Sequence, residues 1–168
     1  NTQTMAFNMA YIAQETLGLS IDCMKKLTDK NDEQVIQNET LLDRYEDELS
    51  KYLIKLSAKL TGVHQSRKVT MLLHSIGELE QITDYSKNLL FTARAKQDKN
   101  SIFSENAENE MKLFSSAVAD IMDMTVNVFV NNDMTVAYKI EIMDEVIDML
   151  SEELKKSHIR RMRDGKCT

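Results

Sequence analysis

The sequence predicts an all-α protein, an antiparallel helical bundle, and three observations carry that reading. The chain has 168 residues with no Pro and four Gly, so helix breakers are nearly absent. Apolar residues recur at steps of three and four over long stretches, the period of a helix with one buried face. The pattern of the first half also returns 105 residues later, as in the match of Glu39 with Asp144 and Val35 with Ile140, which marks an internal duplication.

The first helix is expected over about residues 4–27, where Ala6, Ala10, Ala13, Leu17, Ser20, Met24 and Leu27 form one stripe. Its small residues imply close packing. A polar break at 28–32 leads to a second helix in which Val35, Leu42, Leu49 and Leu56 recur every seven residues before Gly62. The third carries Val69, Leu72, Ile76, Leu79, Thr83, Ser86, Leu90 and Ala93. Polar residues at 96–104 follow. The fourth helix carries Met111, Phe114, Val118, Met122, Thr125 and Phe129, and the fifth carries Ile140, Ile147 and Leu154 before Gly165. The expected organisation is a three-helix repeat over 1–98, a linker at 99–104 and a second repeat of two helices over 105–168. The duplication predicts a sixth helix beyond Thr168. Two helices without a third partner expose an apolar stripe, and a homodimer or a swapped arrangement is the expected way to cover it.

Composition narrows the function. A net charge of −6 excludes a general nucleic-acid binder, since affinity for the phosphate backbone comes from Lys and Arg. Cys23 and Cys167 are the two cysteines and make neither a disulfide framework nor a zinc-ligand spacing, which points to a reducing compartment. No apolar stretch is expected to approach the roughly 20 residues that span a bilayer, and no basic-then-apolar leader opens the chain. The 11 Met residues fall mostly on stripe positions and read as core.

Three acidic pairs are the main functional clue: Glu39 with Asp43, Glu80 with Asp84, and Asp144 with Asp148. Each pair is spaced i,i+4 and so stacks on one helical face, and all three occupy equivalent heptad positions beside the apolar stripe. Carboxylates grouped in this way repel, and a hard or transition-metal cation relieves the repulsion. A solvated acidic face is the plainer reading of the same spacing. A ferritin-like di-iron centre needs Glu-x-x-His on two helices, and neither His64, His74 nor His158 has a Glu three residues before it. Phosphate-binding loops of the Gly-Lys-Ser/Thr type and Gly-x-Ser-x-Gly elbows are absent as well, so no catalytic constellation is present and no enzyme is expected. The basic run of Lys155, Lys156, Arg160, Arg161, Arg163 and Lys166 complements the dipole at the end of the fifth helix; the alternative is contact with a membrane surface or an acidic partner.

Glu39-Thr-Leu-Leu-Asp43, the segment from Leu73 to Leu89 (LHSIGELEQITDYSKNL) and the segment from His158 to Thr168 (HIRRMRDGKCT) resemble the PhoU-like family over essentially the whole chain. The resemblance is nearest to the cytoplasmic C-terminal domain of bacterial sodium/phosphate cotransporters. It implies PhoU-like duplicated three-helix units and a non-catalytic regulatory domain of a sodium-dependent phosphate symporter, on the cytoplasmic side of the bacterial plasma membrane. The implied partner is the membrane domain of its own transporter. A free-standing PhoU-type regulator of phosphate uptake and signalling is the alternative, and a metal-dependent, carboxylate-bridged helical enzyme is the alternative of another class. By the same resemblance Glu39, Asp43, Glu80, Asp84, Asp144 and Asp148 become metal ligands, with iron or zinc as the implied cofactor. Gln81 and Thr83 stand where the family usually has Arg and Gly, which predicts altered packing on the third helix.

Overall fold

The computed structural model describes residues 2–166, and these are helical almost throughout: α1 (Thr2–Lys25), α2 (Asp29–Ser57), α3 (Val63–Asp98), α4 (Glu105–Asn131) and α5 (Ala137–Arg163), with a 3₁₀ turn at Met134–Val136 leading into α5. The chain divides into two compact units, residues 1–97 and 98–168.

Helix starts follow local chemistry. Thr28 caps α2, its side chain accepting the Asn31 amide at 3.3 Å, with Asp29 and Asp32 in the first turn. The break expected at 28–32 therefore shrinks, because four of its five residues are already helix. Ser104 caps α4 in the same way through the Ala107 amide at 3.3 Å. Asn132, at φ 54°, ends α4 in the left-handed region that Asn tolerates better than most residues. Gly165, at φ 66°, closes α5 with a paired capping motif, the Lys166 amide donating to Arg161 and the Gly165 amide to Met162.

The first unit is an up-down-up bundle. Short connections at 26–28 and 58–62 make its consecutive helices antiparallel neighbours. Ala6, Met9, Ala10 and Ala13 of α1 are buried against rows containing Val35, Leu42, Leu49 and Leu53 of α2 and Ile76, Leu79, Leu90 and Ala93 of α3. Leu56, expected on this stripe, is half-buried at the frayed end of α2. Thr16, Ser20, Thr83 and Ser86 are buried too, and each satisfies its hydroxyl by donating to a carbonyl three or four residues earlier on its own helix. Small, self-satisfied residues let the helix axes approach closely. Thr83 thus fills its seam position with no unpaired hydroxyl.

Polar clamps fix the open end of this bundle. Arg94 of α3 grips Asp32 of α2 with both oxygens engaged, Nε donating to Oδ2 at 2.9 Å, and lies over the Phe91 ring at 5.3 Å. Lys96 donates to the Met24 carbonyl at 3.0 Å, satisfying an orphan acceptor at the end of α1.

The second unit is an antiparallel pair. Its buried residues are Ala117, Met122 and Val126, all on α4, and α5 has none among the described residues. Positions that are fully buried in the first unit open up in the second: Val35 and Leu42 are 0 % exposed, while their repeat partners Ile140 and Ile147 are half-buried. Met111 and Thr125, expected on the stripe of the fourth helix, are exposed; among the described residues of this unit, α5 is the one long helix packed on α4. The pair is held at one end by Glu110, whose carboxylate accepts from Arg161 and from Ser157, each at 2.6 Å.

By length and composition α4 is long and apolar enough to cross a membrane, which corrects the expectation that no stretch approaches that limit. It carries Asp120 and Asp123, both exposed, and packs on α5. We expect amide exchange to separate the units. Amides of α5 should open at a free energy about 2 kcal/mol or more below those around Met9, Leu42 and Leu90, roughly a thirtyfold difference in protection. Equal protection in both units would contradict the exposure of α5.

Candidate functional site

Two of the three acidic pairs lie in the first unit, Glu39 and Asp43 on α2 and Glu80 and Asp84 on α3, and the contact of Lys87 Nζ with Glu39 Oε1 at 2.5 Å joins the two helices beside them. The Glu80 carboxyl is held above the usual glutamate range by burial first and then by the charges of Asp84, Asp43, Glu46 and Glu39. A raised carboxyl pKa means that the folded chain holds this proton more tightly than the unfolded one. Its contribution therefore favours the fold at low pH and is lost as pH rises through the carboxylate range.

The ridge contains its own cation. Lys87 lies three residues after Asp84 and seven after Glu80, on the same face of α3, and its Nζ stands 2.5 Å from Glu39 Oε1. The hydrogen bond to Glu39 raises the pKa of Lys87 more than burial lowers it, and the charges of Glu39, Asp84 and Asp43 add to the rise. The ammonium is thus charged throughout the neutral range.

The third pair stands apart. Asp144 and Asp148 are both exposed on α5, in the second unit. Among the described residues, no three His, Cys, Asp or Glu side chains stand close enough together to hold a metal ion. As placed, the six carboxylates do not fit the iron or zinc ligand set that the resemblance implies. His74 and His158 are exposed.

The basic run is also rearranged. Arg161 does not belong to an outward basic patch, since its side chain is 11 % exposed and turned inward onto Glu110. The half-buried Glu110 carboxylate at the helix pair draws in the guanidinium that reaches it. Lys155 and Lys156 pair with Glu152 and Glu153 one turn earlier, while Arg160 and Arg163 are exposed and make no ion pair among the described residues. Sequence reasoning missed these pairings. Glu152 with Lys155 was legible as an i,i+3 pair, but Glu110 with Arg161 depends on how α4 meets α5.

Cys23 is buried beside Val35, Leu90 and Ala93, and its thiol is pushed up by burial and then by Asp32 and Asp22, which makes it a packing group. Cys167 lies outside the described residues.

The described residues form two all-helical units, the first carrying the acidic pairs of α2 and α3. The PhoU domain profile matches residues 7–91, and the chain belongs to the PhoU domain family. It is similar to the phosphate-specific transport system accessory protein PhoU homolog 1 of Thermotoga maritima, with 22 % identity over 162 residues, covering 94 % of this chain and 67 % of the relative. No solved structure matches the chain.

Proposed function

We propose that this chain is a non-catalytic regulatory domain of phosphate transport, acting on a transporter from the cytoplasmic side. The observation that carries the reading is the PhoU domain match over residues 7–91, most of the three-helix unit that bears Glu39, Asp43, Glu80 and Asp84. In the form we favour, the domain belongs to a sodium-dependent phosphate symporter and docks on that protein's membrane part. Regulation then requires the domain to bind two transporter states with different affinity, for only differential binding shifts an equilibrium. The exposed faces of α4 and α5, and the exposed Arg160 and Arg163, are surfaces available for such docking.

The second reading is a free-standing regulator of a phosphate transport system, and it is favoured by the relative from Thermotoga maritima, which bears the name of an accessory protein. The parent gene separates the two. Several apolar spans of about 20 residues encoded upstream of Asn1 support the symporter form, and a start codon just upstream supports the accessory form. The functional test is phosphate uptake in cells whose transporter lacks this domain. We expect altered rate, affinity or response to phosphate supply; uptake unchanged in all three would overturn the proposal.

A further inference from the structure

Glu39 and Asp43 on α2 and Glu80 and Asp84 on α3 flank the point where Lys87 of α3 bonds Glu39 of α2. Such a concentration of negative charge is relieved by water, by a cation drawn from solution, or by a cation the chain supplies. Here the chain supplies it. Lys87 Nζ is 2.5 Å from Glu39 Oε1, and the Glu39 side chain is only 14 % exposed, against 32 % for Lys87. The second oxygen of Glu39 accepts from Thr40 Oγ1 at 3.4 Å, so both oxygens are engaged. Asp43 and Asp84 also act on the same ammonium.

A divalent ion joining the two helices has to take Glu39 or its neighbours while standing beside a fixed positive charge, and like charges at such distances repel. We propose that Lys87 stands in for a metal ion in the first unit: its ammonium neutralises the α2–α3 ridge from within and keeps divalent cations off Glu39. On α2 and α3 the misfit between the implied ligands and their placement then has a local cause: Glu39, the carboxylate a joining ion would need, is already engaged by Lys87.

The test is equilibrium dialysis of the purified chain against Mn²⁺, which favours carboxylate oxygen, and against Zn²⁺, followed by elemental analysis. Wild-type protein should take up no ridge-bound metal. Lys87→Met should bind Mn²⁺ at least about tenfold more tightly than wild type, the gain expected from removing one close charge repulsion, and Glu39→Gln added to it should abolish the gain. Lys87→Gln, which keeps a polar side chain and a donor, serves where the Met variant folds poorly, and its thermal unfolding should shift upward on adding Mn²⁺ as binding to the native state requires. Wild-type uptake that Glu39→Gln removes overturns the proposal, and so does a Lys87 variant that binds no more tightly than wild type.

Discussion

Leu49→Ala should lower the unfolding free energy by about 3 kcal/mol, whereas the same change at its repeat partner Leu154 should cost about 1 kcal/mol. The two leucines occupy the same register of the duplicated pattern, on α2 and α5. Leu49 is 3 % exposed inside a three-helix core, so truncating it removes buried methyl groups and leaves a cavity. Leu154 is half-buried on a helix whose one long neighbour in its unit, among the described residues, is α4, and water reaches the vacated space. Denaturant unfolding followed by circular dichroism, with amide exchange to assign each loss to its unit, checks the pair. Equal costs would mean that α5 is covered as fully as α2.

Removing Glu110 should hurt the second unit more than removing its partner. Glu110→Ala leaves the Arg161 guanidinium in a site where its Nε already lacks a hydrogen-bond partner among the described residues, at a cost of about 2–4 kcal/mol. Arg161→Met leaves a carboxylate that is 26 % exposed, still bonded to Ser157 and reachable by water, at a cost of about 1 kcal/mol. The asymmetry separates this clamp from a surface ion pair, where both changes would be near neutral. Acidification should reproduce the loss. Burial alone would raise the Glu110 carboxyl, but hydrogen bonds from Ser157 and Arg161 and the charges of Arg161 and His158 outweigh it and hold it below the usual glutamate range. Its stabilisation is therefore complete above the unfolded value of about 4.3 and lost as pH falls through the folded one. The Glu80 contribution runs with the opposite sign, so acid should loosen α4 and α5 before the first unit.

The helices and their core rows were legible because periodicity is a local property. Val35, Leu42 and Leu49 announce a buried face at seven-residue spacing wherever they pack. The start of α2 was blurred because Asp29 to Asp32 look like a loop by composition, yet they are the acidic first turn behind the Thr28 cap. The α4 stripe was displaced for another reason. Met111 and Thr125 fall on the stripe by their three- and four-residue spacing, but spacing does not say how many neighbours cover a helix face, and both are exposed.

The candidate site divides in the same way. That Glu39 and Asp43 share a face of α2, and Glu80 and Asp84 a face of α3, follows from a 3.6-residue turn alone. That the two faces meet, that Lys87 rather than Arg44 or Lys51 answers Glu39, and that Arg161 turns inward depend on contacts between residues about 50 positions apart. The sequence by itself determined five helices and the paired spacing of the carboxylates, because each rests on residues within a turn or two of one another. Tertiary structure alone decided which carboxylates share a ridge and which cation they face, since charge acts through distance in space and helix packing sets that distance.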